Sequence, residues 1–419
     1  MDQVTVEVIR NSAIFISEEM GVVLRDTSFS PNIKDRLDHS CAVLDEEGNL
    51  VAQAEHIPVH LGSMSIGVRN LVDYLSREGI ELGPGDVALT NDPYISGTHL
   101  NDLMTLKPVY HEGRLIAYVA NKAHHVDVGG VVPGSIGGGA RELREEGLVI
   151  EPVKIVDGGR IRWDIIKLLE ANVRTPRYFR GDLMAQIASL NVGEARLREL
   201  ASKYGGAGLI EAWSSILEYT ERYTRARIRE VSSNAGGTYT AEDYLETMEG
   251  DLVRIKVTLT ISGGEVKVDY TGTSRQVEEP INAVYGVTVS STVYALKTTI
   301  DPEMPMNQGF FKPVTITAPK GTIVNPLKPA PVGGGNVETS QRIADVVYKA
   351  LAQAFPGRVP AASCGTMSNV IVGGRGWAFY ETNACGSGGR PCCDGVDGVH
   401  TNMTNTLNTP IEVIEREYP

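Results

Sequence analysis

Four of the eight histidines in this 419-residue chain lie in one segment, residues 91–130, which also contains several aspartates. His99 and Asp102 stand three positions apart in a stretch rich in Gly, Thr and Asn, and His124 and His125 follow about one hairpin later. Imidazole and carboxylate groups are the side chains that commonly bind catalytic metals or transfer protons. The segment therefore predicts a metal site or a proton-transfer site.

The spacing of His99 and Asp102 favours a shared metal ion. Residues three apart project to one side of a helix or a tight turn, so both side chains could reach one ion. A later histidine on a neighbouring hairpin strand would complete a set of three nitrogen and oxygen ligands, which leaves positions open for water as in catalytic sites. This ligand set suits zinc, manganese or iron(II), and the ligand types do not choose among them.

The adjacent His124 and His125 have different predicted roles. On a regular strand they face opposite sides, so only one of them would bind the ion. The other, together with Asp127, would orient a ligand or carry a proton. The alternative is that these histidines only form hydrogen bonds within a polar core.

Two further polar segments carry no assigned role. His56 and His60 flank Pro58, which favours an extended segment that forms either a second metal site or a loop around a polar pocket, and His39 could face the same pocket. Residues 386–409 are rich in Gly, Asn and Thr. They predict either turns whose backbone amides approach a ligand or a set of side-chain-capped loops.

Composition and missing motifs exclude several functions. The sequence contains no GxxxxGK[ST] phosphate loop, no dinucleotide-binding glycine motif after a strand and no GxSxG nucleophile motif, so it predicts no ATP site of its own. A net charge of −13 argues against binding to nucleic acid or an anionic membrane. No run of 18 apolar residues and no signal peptide occur, and five cysteines without a framework predict buried, reduced thiols and a cytoplasmic location.

The elements that must position these residues predict an α+β, multi-domain fold. The Ser-Asn-Ala-Gly-Gly cluster at 233–237 predicts the domain boundary. Before it lies a mixed N-terminal region, 1–235, which carries the candidate site. After it lies a β-rich C-terminal region, 236–419, with glycine-rich loops. Apolar periodicity predicts helices at 3–25, 66–78, 163–174, 181–203, 208–231, 281–300 and 337–355, hairpins at 38–53 and 103–122, and strands at 85–90 and over Glu412, Val413, Ile414 and Arg416.

Several motifs spread along the chain resemble the hydantoinase B/oxoprolinase family. They include SCAVLDEEGNLVAQAEHIPVHLGSM, GDVALTNDPYISGTHLNDLMTLKPV, NKAHHVDVGGVVPGS, REEGLVIEPVKI, GGNVETSQRIAD and DGVDGVHTNMTNTLNTPIE. The resemblance covers nearly the whole chain. Members of the family continue past this point, so the resemblance also implies that the chain is truncated at its C-terminus.

The resemblance implies a divided enzyme. A separate A-type subunit with an actin-like fold would bind ATP and magnesium and phosphorylate a lactam or hydantoin amide. This chain would hold a divalent zinc, manganese or iron ion through His99, Asp102 and His124, and the ion would activate water or polarise a carbonyl. By the same resemblance His125, Asp127 and Asp92 are expected in supporting catalytic roles.

The resemblance leaves three functions open. The first is a subunit of an ATP-dependent cyclic-amide hydrolase, the second a subunit of an acetone- or acetophenone-type carboxylase, and the third a scaffold without a catalytic role. All three place the chain in a heterotetramer or larger heteromer with the A-type subunit. Neither a nucleic acid nor a membrane is expected as a partner, and the sequence does not identify the ring that is opened.

Overall fold

A seven-stranded antiparallel sheet organises the N-terminal half of the molecule. The structure is a computed structural model that describes residues 1–54 and 56–418, with only the backbone of Leu61. The sheet has the strand order β2-β1-β5-β4-β3-β6-β7. Its strands are β1 (His39–Leu44), β2 (Leu50–Gln53), β3 (Val87–Thr90), β4 (Asp102–His111), β5 (Arg114–His124), β6 (Val153–Asp157) and β7 (Arg160–Ile161).

Helices cover both faces of this sheet. Long helices α1 and α8 pack on one face and α4 packs on the other, which explains why the central strands are buried throughout. Helix α1 buries positions 9, 13, 16, 20 and 24, the stripe expected for one apolar face. The helices up to residue 235 are α1 (Gln3–Thr27), α2 (Pro31–Lys34), α3 (Pro58–Leu61), α4 (Ser63–Arg77), α5 (Pro93–Ser96), α6 (Leu143–Glu146), α7 (Trp163–Glu170), α8 (Pro176–Tyr204) and α9 (Gly206–Ala235).

A smaller four-stranded sheet and a two-stranded hairpin follow α9. The four-stranded sheet has the order β11-β10-β9-β8, with β10 and β11 parallel, and α12 packs on β8 and β9. The elements are β8 (Gly237–Glu246), β9 (Leu252–Ser262), β10 (Glu265–Asp269), α10 (Tyr285–Ile300), α11 (Gln308–Phe311), β11 (Val314–Thr317), a 3₁₀ turn (Gly334–Asn336), α12 (Thr339–Ala354), β12 (Asn369–Gly374), β13 (Trp377–Thr382) and α13 (Ile411–Glu417).

The turn between β4 and β5 sets the register of the central hairpin. His111 pairs with Arg114, so only Glu112 and Gly113 form the loop, and both have positive φ angles, 49° and 79°. Two-residue loops of this kind match the right-handed twist of the flanking strands. The pairing continues, with one irregularity between Val109 and Tyr110, to the far end of both strands.

The α+β class predicted from the sequence is confirmed, with helices and several sheets along the chain. The division at residue 235 stays a prediction. One hydrophobic cluster contains buried residues from both sides of it. The strand predicted over 412–416 is wrong, since Ile411–Glu417 forms α13. Pro410 precedes this helix, Glu412 lies in its first turn and Arg416 in its last, and these positions suit a helix and its dipole.

The expectation of buried cysteines is wrong for four of the five. Cys41 is buried, whereas Cys364, Cys385, Cys392 and Cys393 are exposed on the loops after α12 and β13. Burial raises the pKa of the Cys41 thiol to about 12. Within the described ranges, no helix has the length and apolar character needed to cross a bilayer.

One buried arginine ties the C-terminal segments to the N-terminal sheet. The side chain of Arg36 is fully buried, and its Nε lies 3.4 Å from Oε1 of Glu381. Its other nitrogens donate hydrogen bonds to the carbonyl of Tyr380, at 3.1 Å, and to the hydroxyl groups of Thr382 and Thr406, at 2.7 and 3.3 Å. A buried guanidinium with this many acceptors holds β13 and the 404–409 segment against the N-terminal region.

We expect Arg36→Ala to lower the free energy of unfolding by at least about 3 kcal/mol, because it leaves the Glu381 carboxylate buried without its cation. Chemical denaturation followed by circular dichroism measures the loss. Arg375→Ala, at an exposed position in the β12–β13 turn, is the matched control and should change stability little. A loss of less than about 1 kcal/mol in Arg36→Ala would contradict the proposed tie.

Candidate metal centre

The β4–β5 hairpin brings two of the predicted ligands face to face. Asp102 is the first residue of β4 and pairs directly with His124, the last residue of β5. Directly opposed residues on antiparallel strands have adjacent side chains. Just before β4, the amide of Asp102 donates a hydrogen bond to the carbonyl of His99 at 3.1 Å. This tight turn places the His99 ring beside the side chains of Asp102 and His124.

Three donor atoms converge there. His99 Nε2 lies 3.1 Å from Asp102 Oδ1 and 3.1 Å from His124 Nδ1, and the latter two atoms are 3.2 Å apart. All three residues are at most 2% exposed. Among the described residues, this is the one group of three or more His, Cys, Asp or Glu side chains whose geometry suits a metal ion.

The triangle of donor atoms fits a divalent transition metal. Donors that meet an ion at about 90° and about 2.1–2.2 Å lie about 3.0–3.1 Å apart, whereas a tetrahedral set spreads to about 3.4 Å. The observed sides of 3.1 to 3.2 Å are short enough for all three atoms to contact one ion. Two imidazoles and one carboxylate leave the remaining positions open to water or substrate.

Hydrogen bonds on the outer atoms orient the ligands. The ring of His99 donates from Nδ1 to the carbonyl of Gly333 at 3.3 Å, which orients Nε2 toward the other two donors. The second carboxylate oxygen of Asp102 lies 3.3 Å from Nε2 of His60. His124 stacks on the ring of Tyr380 at 4.8 Å between centroids, and within the described chain its buried Nε2 has no hydrogen-bond partner.

Three consecutive glycines allow the Gly333 carbonyl to reach His99. A Cβ atom at Gly335 would lie 1.9 Å from the carbonyl oxygen of Asn282, and one at Gly333 would lie 3.0 Å from the carboxylate of Glu146. That carboxylate accepts the amide hydrogens of Val332 and Gly333 at 3.0 and 2.7 Å. Close backbone approach therefore explains why small residues are required here.

Burial and charge act in opposite directions on the three ligands. Burial alone would raise the pKa of Asp102, but the rings of His99 and His60 outweigh it and hold that pKa well below its usual value. Burial would lower the pKa of His99, yet the Asp102 charge raises it overall. The pKa of His124 is lowered by burial, which Asp38 opposes only in part. Asp102 therefore favours its ionised form, His99 the form that carries both ring protons, and His124 the neutral form.

The remaining predicted site residues contact other parts of the fold. His125 points to the opposite side of the strand, as its spacing predicts, and its Nε2 lies 3.0 Å from Oε1 of Gln186. Asp127 accepts hydrogen bonds from the amides of Gly129 and Gly134 and from Arg174.

Asp92 caps α5 through the amide of Tyr94 and forms an ion pair with Lys328 at 2.6 Å. The catalytic assignment of His125, Asp127 and Asp92 stays a prediction.

Sequence reasoning assigned no role to His60, which contacts the site directly. The segment around it is not extended, since Pro58 is the first residue of α3, a position that proline tolerates. Consequently His56 and His60 separate: His60 faces Asp102, whereas the ring of His56 packs at a tilt against His39, with centroids 4.7 Å apart. The spacing of these histidines indicated a polar site, but Pro58 led to the wrong prediction of an extended backbone.

The C-terminal polar run forms hydrogen-bonded loops. Asn402 donates to Asp345 at 3.0 Å, and Asn408 and the amide of Thr409 contact Glu381 at 3.3 and 3.2 Å. These contacts agree with the loop alternative for this part of residues 386–409, because the side chains cap neighbouring groups.

Known proteins resemble the chain along its entire length. A family model described as hydantoinase B/oxoprolinase matches residues 2–419. An uncharacterised protein of Methanocaldococcus jannaschii is 59% identical over 419 residues, which cover all of this chain and 74% of that protein. A putative B-type subunit of a D-/L-hydantoinase from a Pseudomonas species is 34% identical over 442 residues, covering 100% of this chain and 73% of that protein. With 5-oxoprolinase 1 of Arabidopsis thaliana the identity is 37%, and the chain spans only 34% of that longer protein.

Two solved structures share the fold. The ATP-dependent caprolactamase from Pseudomonas jessenii superimposes with a TM-score of 0.91 at 30% identity, over all of this chain and 73% of that one. A nucleotide-free acetone carboxylase gives a TM-score of 0.89 at 19% identity, over 98% of this chain and 58% of that one. At that identity the second likeness shows the fold alone.

We expect Gly335→Ala to lower the free energy of unfolding by about 2 kcal/mol or more, because the added methyl group overlaps the carbonyl of Asn282. Thermal or chemical denaturation measures the change. Gly138→Ala is the matched control, since a Cβ there has no heavy atom within 4 Å. Equal stability of the two variants would show that the 333–335 loop is not held as described.

Proposed function

Because the chain belongs to the hydantoinase B/oxoprolinase family, we propose that it is the metal-bearing subunit of an ATP-dependent cyclic-amide hydrolase. The observation that carries the proposal is the convergence of His99 Nε2, Asp102 Oδ1 and His124 Nδ1 at buried positions beside the open end of the β4–β5 hairpin. The names of the relatives support the substrate class, since 5-oxoproline, hydantoins and caprolactam all contain a cyclic amide.

The division of labour follows from the stability of the amide. Resonance makes a ring amide a poor target for water, so activation by ATP must precede its opening. This sequence has no phosphate loop of its own, which supports activation by a separate A-type subunit in a heteromer. The name of the Pseudomonas relative, which calls that protein a subunit, agrees with such a partner. We place the heteromer in the cytoplasm because the cysteines of this chain are unpaired.

The residues of this chain would hold and orient the reacting groups. His99, Asp102 and His124 would bind a divalent cation, and such an ion can lower the pKa of a water molecule and polarise a carbonyl oxygen. The Gly333 carbonyl fixes the orientation of the His99 ring, and the opposed strands fix Asp102 against His124. Burial of all three side chains keeps bulk water away from an activated amide, which hydrolyses readily outside an enzyme.

The test is co-expression with the A-type subunit, followed by measurement of ATP-dependent phosphate release over 5-oxoproline, hydantoins, larger lactams and ketones. We expect release with a cyclic amide, and a fall of at least about 100-fold in His99→Ala and Asp102→Ala together with loss of bound metal, because each removes one of three ligands. Zinc, manganese and iron are measured by plasma mass spectrometry.

His111→Ala is the matched control, since His111 lies at the β4–β5 turn, far along the strands from the site. It should retain metal and activity. Full activity of His99→Ala without bound metal would exclude the catalytic centre. Bicarbonate-dependent ATP turnover with a ketone and without a cyclic amide would favour a carboxylase.

We also expect the affinity for the cation to rise with pH and then level off. Asp102 raises the pKa of His99, so that ring keeps its proton to a higher pH than an ordinary histidine and must release it before Nε2 can bind an ion. Titration with Mn²⁺ at fixed ionic strength between about pH 6 and 9 spans this range. A dissociation constant that does not change with pH would contradict binding through His99.

A further inference from the structure

A chain of hydrogen bonds runs from a cavity to the outer oxygen of Asp102. The cavity has a volume of about 170 Å³, and Ser40, His56 and Tyr294 are among the residues that line it. Ser40 Oγ lies 2.9 Å from Nδ1 of His60, and Nε2 of His60 lies 3.3 Å from Oδ2 of Asp102. Ser40 is 5% exposed, His60 2% and Asp102 1%, so water competes little for these contacts.

The chemistry of Asp102 and Ser40 determines which group donates each of these hydrogen bonds. An ionised carboxylate only accepts hydrogen bonds, so a neutral His60 must carry its proton on Nε2 to bond Asp102. Its Nδ1 then becomes an acceptor and requires a donor. Ser40 supplies one, because its oxygen already accepts the amide hydrogen of Ile57 at 3.3 Å and its hydroxyl hydrogen is left for His60.

The two carboxylate oxygens of Asp102 therefore contact different groups. Oδ1 lies between the rings of His99 and His124, and Oδ2 is held by His60. A carboxylate anchored through one oxygen cannot rotate both oxygens toward the ion, so it binds through Oδ1 in a single orientation. Helix α3 brings His60 to this position from outside the β4–β5 hairpin.

We propose that His60 is a positioning residue of the metal centre, with Ser40 fixing its tautomer, so that together they hold Asp102 as a one-oxygen ligand. The inference rests on the proposed function for the presence of the ion, and it adds residues that the sequence motif did not assign.

Mn²⁺ binding to the purified chain tests the proposal, by isothermal titration and by the electron paramagnetic resonance spectrum of the bound ion. We expect His60→Ala to weaken binding about 10- to 100-fold and to change the spectrum, as loss of a partner of a metal ligand does. His60→Gln places an amide donor near the lost Nε2 and should restore most of the affinity. Ser40→Ala should weaken binding by less than His60→Ala, since it removes only the group that sets the tautomer.

His56→Gln is the matched control, because His56 lies on the same segment but packs against His39 instead of contacting Asp102. It should bind Mn²⁺ as the unsubstituted chain does, and circular dichroism confirms that each variant is folded. Unchanged affinity in His60→Ala, with binding abolished in His99→Ala, would overturn the positioning role and leave the proposed function intact.

Equal weakening in His60→Ala and His60→Gln, with both folded, would overturn the hydrogen-bond basis of the inference. Failure of the unsubstituted chain to bind Mn²⁺ or Zn²⁺ would overturn both the inference and the metal centre of the proposed function.

Discussion

The register of the β4–β5 hairpin is the constraint on which the site depends. Asp102 and His124 lie at the open end of the hairpin, and the pairing that opposes them is set at the closed end by a two-residue turn. Side chains alternate between the faces of a strand, so a slip of one residue would move one of the two side chains to the other face of the sheet. The positive φ angles of Glu112 and Gly113, 49° and 79°, specify the turn, and the irregularity between Val109 and Tyr110 then gives the register that continues to Asp102 and His124.

Contacts from distant parts of the chain complete what the hairpin begins. The Gly333 carbonyl reaches His99 from the loop before α12, His60 approaches Asp102 from α3, and the ring of Tyr380 in β13 stacks on His124. Arg36 holds the strand that carries Tyr380 in place. Each of the three ligands is thus supported by a different segment, and the ligand geometry depends on the packing of both halves of the chain.

The sequence predicted the candidate metal-binding residues better than it predicted the residues that hold them in place. Clustering of histidines and aspartates near one predicted hairpin pointed to His99, Asp102 and the adjacent pair His124 and His125, and the family resemblance then singled out His124; the structure brings His99, Asp102 and His124 together. The contact between Gly333 and His99 uses a backbone carbonyl, which every residue has. No pattern of side chains in the sequence could therefore predict it. His60 was visible as a histidine, but Pro58 suggested an extended segment, whereas it begins a short helix.

Similar limits explain the other differences between sequence and structure. The final segment alternates enough to suggest a strand, but no strand among the described residues pairs with it, and a helix begins directly after Pro410. The thiols of the C-terminal loops are exposed, and their exposure depends on the tertiary arrangement and not on the cysteines themselves.

Burial of the Asp102 carboxylate makes the site depend on positive charge. An ionised carboxylate that is 1% exposed is costly unless cations or strong donors surround it. Before an ion binds, the proton on His99 and the hydrogen bond from His60 supply this compensation, as the raised pKa of His99 and the lowered pKa of Asp102 indicate. A divalent ion would take over the role of the His99 proton with a larger charge. Since the strands already fix the donor atoms, binding of an ion in place of that proton would require little movement of the backbone.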